Sequence, residues 1–279
     1  MQVVRTISEL RALRGAAAPL VGLVPTMGAL HDGHLSLVRR AREECETVIG
    51  SLFVNPTQFG PNEDFSRYPR DEERDLGLFE RDGTDIVFAP SVDEMYGGTP
   101  ATTVTLGGIA ERLEGAKRPG HFDGVATVVT KLFNIVQPDR AYFGQKDAQQ
   151  LRVIRTFVRD LDIPVEVVGC PTVREPDGLA LSSRNVYLDD DHRAQALSLS
   201  RGLDRATAAL EDGVRDAETL RRLVLDEIEA QPLAEIDYVS LADSGSLEEF
   251  EGDVTGEVVL SMAVRFGATR LIDNVTLTS

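Results

Sequence analysis

Strand-like and helix-like stretches alternate along the first part of this chain. Residues 20–24 form a short apolar run that ends at Pro25, residues 34–45 carry apolar side chains at helical spacing, and residues 47–54 are rich in β-branched side chains. This order predicts a β-α-β unit. Repeated alternation of this kind is typical of a mostly parallel sheet with helices on both faces. We therefore expect an α/β fold of the doubly wound, Rossmann-like type.

The alternation continues as far as residue 169. A short helix is predicted after the capping-box pair Thr6 and Glu9. Apolar stripes predict two more helices, and short apolar runs predict four more strands. The helices are expected over residues 125–136 and 151–161, and the strands at residues 85–89, 101–106, 140–144 and 165–169.

The pattern changes after Pro171. Two amphipathic helical stripes are followed by three strands that have no helices between them. Strands in direct succession indicate an antiparallel sheet, so we predict a second, smaller α+β domain. Its helices are expected at residues 199–210 and 220–228, and its strands at residues 236–241, 258–266 and 269–277. We place the domain boundary at residue 171, which gives domains 1–171 and 172–279.

The charge balance restricts the partners. The chain has 46 Asp and Glu residues against 29 Lys and Arg residues, so its net charge is −17. A surface of this sign repels a phosphate backbone, and nucleic acid is therefore not an expected partner. No apolar run approaches the roughly 20 residues that span a bilayer, and residues 1–10 lack the apolar core of a signal peptide. We expect a globular, cytoplasmic protein with no membrane partner.

The segment at residues 25–34 joins a predicted strand to a predicted helix and reads Pro-Thr-Met-Gly-Ala-Leu-His-Asp-Gly-His. Ligands of α/β sheets bind at such junctions. Gly28 and Gly33 let the backbone approach a ligand closely, and a helix N-terminus favours anionic oxygens. His31 and His34 lie one turn apart, so both can donate hydrogen bonds to one phosphoryl group. The segment predicts a phosphate site.

Other interpretations of the two histidines remain. They could be ordinary surface residues or an i, i+3 metal pair, although no Glu lies between them as in zincins and no third ligand is evident nearby. Cys45 and Cys170 are far apart, which argues against a thiolate zinc site. Neither a G-x-G-x-x-G motif after a strand nor a Walker P-loop occurs, so hydride transfer and Walker-type chemistry lose their usual support.

A second strand-to-helix junction carries Gly144, Lys146 and Asp147. Because the chain has 3 Lys and 26 Arg residues, a retained Lys suggests a need for a compact ammonium that binds phosphate as a point charge. With so few lysines, chance is the alternative. Asp147 is equally well explained as a helix N-cap and as a ligand of ribose hydroxyls.

A third group lies on the loop from Val173 to Asn185, where Ser182 and Ser183 stand beside Arg184. Such glycine-containing loops can close over phosphates, although an ordinary turn before a helix is the alternative.

Two polar runs, at residues 55–59 and 119–124, are expected to be loops. Their amides, aromatic rings and imidazole could line a small-molecule pocket, although each run taken alone is more simply structural. The amides of Gln58 and Gln150 could bind hydroxyl and carboxylate groups without adding charge.

Five segments taken together resemble one known family. Residues 25–37 end in Leu-Ser-Leu after the His-Asp-Gly-His run, residues 53–59 read Phe-Val-Asn-Pro-Thr-Gln-Phe, and residues 120–125 read Gly-His-Phe-Asp-Gly-Val. With the blocks around Lys146 and Ser182, they resemble the pantothenate synthetase family (pantoate–β-alanine ligases) of the His-x-Gly-His adenylyl-transferring superfamily. The resemblance covers nearly the whole chain. Leu181 stands where the family often has Met, and Ala148 where an aromatic residue is common.

The resemblance implies an ATP-dependent ligase that condenses pantoate with β-alanine. The product is pantothenate, a precursor of coenzyme A, and the reaction passes through a pantoyl-adenylate and releases AMP and pyrophosphate. The resemblance also implies Mg²⁺ as a cofactor and a homodimer. Residues 1–171 would bind nucleotide and pantoate, and residues 172–279 would be a lid that carries the Ser-Ser-Arg-Asn loop.

The resemblance also implies roles for individual residues. The catalytic groups would be His31, His34, Lys146, Ser182, Ser183 and Arg184, which would also contact ATP. Further ATP contacts would be Pro25, Met27, Gly144, Asp147 and Val173. Pantoate would lie against Met27, Asn55, Gln58 and Gln150, with His121 as a further candidate. Positive and hydrogen-donating groups suit this chemistry, because adenylate formation adds negative charge to the α-phosphate in the transition state.

Two functions of other classes remain as alternatives. A class I synthetase-like protein acting on tRNA would need a basic surface and an anticodon-reading domain, and the acidic chain after residue 171 argues against both. A non-catalytic nucleotide sensor would bind ATP without turnover, so an activity measurement distinguishes it.

Overall fold

The first six strands of the chain lie in one sheet. In the computed structural model, which describes residues 1–61 and 63–279, they are β1 (Gln2–Val4), β2 (Val21–Thr26), β3 (Thr47–Leu52), β4 (Ile86–Phe88), β5 (Arg140–Gly144) and β6 (Glu166–Cys170). The strand order is β1-β4-β3-β2-β5-β6, and every neighbouring pair is parallel. The doubly wound α/β fold predicted from the sequence is confirmed.

Helices cover both faces of this sheet. They are α1 (Ile7–Ala16), α2 (Asp32–Glu44), α3 (Glu72–Arg81), α4 (Val92–Tyr96), α5 (Leu113–Lys117), α6 (His121–Val136) and α7 (Ala148–Asp160). Successive side chains of a strand point to opposite faces, and both faces are buried here. Leu23 of β2 lies in the apolar cluster that α1, α6 and α7 complete, whereas Val24 lies in the cluster that α2 and α3 complete. Burial on both sides explains why these strands are continuous apolar runs.

The strand order reverses between β2 and β5. The chain passes from β2 to β3 and β4 on one side, and then returns to place β5 and β6 on the other side. Loops that leave the carboxyl ends of β2 and β5 therefore run in opposite directions and leave a crevice, which is where ligands bind in open α/β sheets. The loop that precedes α2 and the residue Gly144 lie at this edge of the sheet.

Two local predictions in this region are wrong. Residues 101–106 do not form a strand, because helix α6 supplies the acceptors for their amides: Val104 N–H donates to Thr127 Oγ1 (2.9 Å) and Leu106 N–H to Asp123 Oδ1 (3.2 Å). The run 119–124 is not a loop throughout, because α6 begins at His121. Strand β1 has no counterpart in the prediction; it is three residues long, at the edge of the sheet.

The chain after Pro171 builds a separate antiparallel sheet. Its elements are α8 (Asp190–Ala196), α9 (Ser198–Glu211), α10 (Ala217–Glu229), β7 (Ala234–Asp243), β8 (Glu257–Phe266) and β9 (Thr269–Thr278). The strand order is β7-β8-β9, with both pairs antiparallel. Leu203 of α9, Val224 of α10 and Leu260 of β8 are buried in one apolar core. This smaller α+β part is confirmed.

The described residues divide into two compact units. The first unit is Met1–Gln145 with Gln149–Pro171, and the second is Lys146–Ala148 with Thr172–Ser279. The three residues 146–148, which lie within the predicted domain 1–171, are thus grouped with the second unit. The functional division into a nucleotide-binding domain and a lid stays a prediction. None of the helices in the described part of the chain has the length and apolar character needed to cross a membrane.

Candidate active site

The loop between β2 and α2 has an unusual backbone that only certain residues tolerate. Gly28 has φ +86°, and Ala29 also lies in the left-handed region at φ +51°. A Cβ atom on Gly28 would lie 2.9 Å from both Asp75 Oδ2 and Leu52 Cδ1. The space and the dihedral angle both require glycine at position 28. The loop therefore turns sharply directly after the strand and leads His31 to the start of α2.

Asp75 of α3 fixes this loop. Its carboxylate is 1% exposed and accepts hydrogen bonds from the backbone N–H groups of Ala29 and Leu30, each at 2.8 Å. Burial raises the pKa of Asp75, while the two N–H groups oppose that rise. No local motif marks Asp75, because the amides that it binds lie more than forty positions earlier in the chain.

His31 and His34 stand together at the N-terminus of α2. Their ring centroids are 4.1 Å apart, and the ring planes are tilted by 40°. His31 is the N-cap residue, and its Nδ1 accepts from Gly33 N–H at 3.1 Å. The Nδ1 of His34 accepts from the N–H of His31 at 3.4 Å. Because a backbone N–H can only donate, each Nδ1 carries a lone pair, and in the neutral rings the protons reside on Nε2.

This arrangement suits an anion. The two Nε2–H groups can donate hydrogen bonds to a ligand, and they lie at the positive end of the helix dipole. Both features favour a negatively charged ligand. Within residues 1–61 and 63–279 no group of three or more His, Cys, Asp or Glu side chains could hold a metal ion. The interpretation of His31 and His34 as a metal pair therefore has no third protein ligand among the described residues.

Asn55, Gln58 and Met27 meet beside the 3₁₀ turn Pro56–Gln58. Asn55 Nδ2 donates to Gln58 Oε1 at 3.0 Å, and Gln58 Nε2 lies 3.2 Å from Met27 Sδ. Tyr96 OH donates to Asn55 Oδ1 at 2.6 Å. Asn55 and Gln58 are buried, so their amides are oriented by protein contacts and not by bulk water. Tyr96 orients Asn55 and was not identified from the sequence.

His121 lies under the same turn. Arg118 is paired with Glu63 at 2.6 Å, and its Nη1 lies 3.1 Å from His121 Nε2. A guanidinium can only donate, so Nε2 accepts and the Nδ1–H of His121 donates to the carbonyl of Gln58 at 2.8 Å. Burial, and then the Arg118 charge, lower the pKa of His121 to about 4. The ring is therefore neutral near pH 7, and it holds the backbone of Gln58.

Gly124 lets α6 approach this turn. A Cβ atom at position 124 would lie 2.4 Å from the carbonyl oxygen of Thr57. The second glycine of the Gly-His-Phe-Asp-Gly run thus allows close packing, because no larger side chain fits between α6 and the turn.

The residues at the end of β5 are close in sequence but differ in their surroundings. Gly144 ends β5, the strand that pairs with β2 at the point where the strand order reverses. Gln149 is buried, and its amide binds the N–H of Glu114 and the carbonyls of Ile109 and Arg112. Gln149 therefore holds the segment before α6. Gln150 follows it on α7, half-buried, and its predicted contact with pantoate stays a prediction.

Lys146 and Asp147 belong to the 3₁₀ turn Gln145–Asp147, directly before α7. The carbonyl oxygen of Lys146 accepts a hydrogen bond from Asn274 Nδ2 at 2.7 Å. Asp147 occupies the last position of the turn. Its two interpretations, as a helix N-cap and as a ligand of ribose hydroxyls, both remain predictions.

The serine loop of the second unit, Ser182 to Arg184, directly follows a short hairpin. Leu181 N–H donates to the Val173 carbonyl at 2.9 Å, and the chain then enters the 3₁₀ turn Ser183–Tyr187. Ser182 Oγ caps this turn by accepting from Arg184 N–H at 3.2 Å. Ser182 thus has the local structure of an ordinary turn, and the predicted phosphate contacts of Ser182, Ser183 and Arg184 stay predictions.

Comparison with known proteins identifies close relatives. The model of the family described as pantoate-beta-alanine ligase matches residues 2–276. Pantothenate synthetase of Herpetosiphon aurantiacus is 58% identical over 277 residues, which cover 99% of this chain and 100% of that protein.

Solved structures agree with this similarity. Pantothenate synthetase from Thermus thermophilus superimposes with a TM-score of 0.95 at 50% identity, with both chains fully covered. A pantoate-beta-alanine ligase from Francisella tularensis, solved in complex with beta-gamma ATP and beta-alanine, gives a TM-score of 0.80 at 34% identity, covering 99% of this chain and 97% of that one.

Proposed function

The chain belongs to the pantoate–β-alanine ligase family, and from this membership we propose how its residues carry out the reaction. The reaction joins pantoate to β-alanine and yields pantothenate, with ATP converted to AMP and pyrophosphate. The observation that carries the proposed mechanism is the pair of Nε2–H imidazole donors at the N-terminus of α2.

In the first step a carboxylate oxygen of pantoate attacks the α-phosphorus of ATP, and pyrophosphate leaves. The transition state carries more negative charge on the α-phosphate oxygens than bound ATP does, so donors aimed there accelerate the step. We assign this task to His31, His34, Lys146, Ser182, Ser183 and Arg184. Pro25, Met27, Gly144, Asp147 and Val173 would complete the contacts to ATP.

Pantoate carries hydroxyl groups and a carboxylate, which amides can bind without a change in net charge. Gln58, Asn55 and Gln150 are assigned to these groups, with Met27 as an apolar wall. The contacts of Gln58 support this assignment, since its amide is oriented by Asn55 and its backbone by His121. His121 thus acts through Gln58 as a positioning residue.

In the second step the neutral amine of β-alanine attacks the acyl carbon, AMP leaves with the bond pair, and the nitrogen releases one proton to solvent to give the amide. The mixed anhydride already has a good leaving group, so positioning and exclusion of water are the main requirements. Closure of the part 172–279 over the adenylate would exclude water. The complex of the Francisella ligase with ATP and β-alanine supports both as substrates here.

Three further features belong to the proposal. Mg²⁺ would neutralise phosphate charge, and it would be held mainly by the phosphates of ATP, since the described residues offer no cluster of three ligating side chains. The protein would be a homodimer, as the family resemblance implies, and cytoplasmic, as expected from the sequence of residues 1–10. The acidic net charge supports small molecules, and not nucleic acid, as partners.

The test is exchange of labelled pyrophosphate into ATP in the presence of Mg²⁺ and pantoate, without β-alanine. The proposal predicts exchange that depends on pantoate, because adenylate formation is reversible on the enzyme. If exchange is absent, or proceeds equally without pantoate, the adenylate mechanism fails.

A further inference from the structure

Strand β9 carries two adjacent polar residues that are both buried. Asp273 is 2% exposed and Asn274 is 7% exposed. Neighbouring residues of a strand point to opposite faces, so one of the two must lie away from the apolar core. Leu271 and Leu277, which share the face of Asp273, are part of that core. Asn274 therefore lies on the other face, where Thr276, the next residue on the same side, is exposed.

The side chain of Asn274 makes a hydrogen bond to the backbone of a proposed catalytic residue. Asn274 Nδ2 donates to the carbonyl oxygen of Lys146 at 2.7 Å, and both residues belong to the second unit. The 3₁₀ turn that carries Lys146 is three residues long. Because so short a turn has few hydrogen bonds of its own, a buried side-chain donor strongly restricts its conformation.

The adjacent residue holds the serine loop. Asp273 accepts two hydrogen bonds from Arg174, at 2.6 and 2.9 Å, and Arg174 Nη1 also donates to the Gly178 carbonyl at 3.1 Å. Arg174 and Gly178 lie in the hairpin that leads into Ser182. Consecutive residues of β9 thus bind, on opposite faces of the strand, the segments that carry Lys146 and Ser182.

We propose that Asn274 is a positioning residue for Lys146, which sets the place of the lysine turn relative to the serine loop that Asp273 and Arg174 hold. Asn274 would contact neither ATP nor pantoate. Loss of its amide would let the turn relax, and the ammonium would no longer be fixed where charge develops in the transition state. The inference rests on the role proposed above for Lys146.

The test compares Asn274→Ala, Lys146→Ala and the double variant in pantoate-dependent pyrophosphate exchange. We expect Lys146→Ala to lower kcat about a hundredfold and Asn274→Ala about tenfold, with the KM for pantoate changed less than about twofold. In the Lys146→Ala background, Asn274→Ala should lower kcat by less than about twofold, because the residue it positions is already gone. Thr276→Ala, on the same face of β9, is the matched control and should keep the wild-type rate.

Asn274→Leu keeps the branched shape of the side chain without the amide donor and should repeat the result if the alanine variant folds poorly. If Asn274→Ala lowers kcat by the same factor with and without Lys146, its effect is a general structural one and the inference is overturned. If both Asn274 variants keep the wild-type rate while Lys146→Ala is impaired, the inference fails and the role of Lys146 stands. A near-normal rate for Lys146→Ala would remove the role of the lysine itself.

Discussion

The histidine loop of the first unit and the lysine and serine segments of the second unit are held in place by different kinds of contact. His31 and His34 are fixed mainly by backbone groups nearby in sequence, with one distant carboxylate, Asp75. Lys146 and the serine hairpin are fixed by β9, whose contacts span 128 and 99 positions of sequence.

This difference has a physical consequence. A short motif can encode a helix N-terminus with its caps, because the interacting groups are neighbours. A turn held by distant side chains depends on the whole second sheet being folded. We therefore expect substitutions at the histidine loop to affect catalysis mainly, and substitutions around Asp273 to affect stability as well.

The largest expected effect concerns Arg174→Met. The change would leave the buried Asp273 carboxylate without its cation, and removal of one partner from a buried ion pair costs about 4 kcal/mol of folding free energy. Urea unfolding followed by circular dichroism measures the loss. Arg201→Met is the control, because Arg201 is exposed in its pair with Glu227 and should cost less than about 1 kcal/mol. Equal losses in the two variants would contradict the importance of the buried pair.

The second prediction concerns the first unit. His34→Ala should lower pyrophosphate exchange by about a hundredfold, because it removes a donor to the charge that develops in the transition state. The melting temperature should change little. The matched control is His192→Ala, since His192 lies in the second unit beside Asp189 and far in sequence from the motif. A near-normal exchange rate in His34→Ala would refute the assignment of this imidazole.

The third prediction separates the loop from the imidazoles. Asp75→Ala removes the acceptor of two backbone N–H groups, so the loop before His31 loses its fixed geometry and adenylate formation should fall about tenfold. The KM for pantoate should stay nearly unchanged. Glu73→Ala on the exposed face of α3 controls for charge removal. An Asp75→Ala enzyme with the wild-type kcat would show that the loop keeps its shape without the carboxylate.

The smallest predicted effect is a pH dependence. Folding lowers the pKa of His121 from its usual 6.5 to about 4, so the unfolded chain binds a proton between these values and the folded chain does not. The contribution of His121 to the free energy of unfolding is therefore fully present above pH 6.5, and it is lost as the pH falls towards 4. Between about pH 7 and 5.5 this group should reduce the free energy of unfolding by about 1 kcal/mol.

His121→Asn serves as the comparison for that measurement, since the amide does not titrate. The difference between wild type and His121→Asn should shrink by about 1 kcal/mol over this pH interval in urea titrations. An unchanged difference would mean that the ring is not held neutral by burial beside Arg118.

Much of the fold is predictable from the sequence because its signals are local. The strands that became β2 to β9 appear as apolar or alternating runs. Helices α2, α6, α7, α9 and α10 appear as apolar stripes and α1 as a capping box, whereas α3, α4, α5 and α8 have no counterpart in the prediction. Residues 101–106 have the same β-branched character and yet form no strand, because their amides bond to side chains of α6 that the pattern does not reveal. The first turn of α6 was misassigned for a related reason, since Gly120 and Gly124 look like loop residues but serve a helix start and a close packing.

The candidate site divides in the same way. The His31 and His34 motif is visible because both residues cap one helix start. Four supporting residues give no signal of their own, since each lies outside the motif segment that it holds: Asp75, Tyr96, Arg118 and Asn274. The motif predicts which groups meet the substrate, and only the folded chain reveals which residues hold them.

The central claim is that the site directs pantoate to the α-phosphorus of ATP, and an isotope measurement tests it directly. Pantoate labelled with ¹⁸O in both carboxylate oxygens is converted with ATP and β-alanine, and the products are analysed by mass spectrometry. The account predicts one labelled oxygen in AMP and one in pantothenate, because the attacking oxygen stays on phosphorus when the amine displaces AMP. Label in pyrophosphate or inorganic phosphate, with unlabelled AMP, would contradict the account.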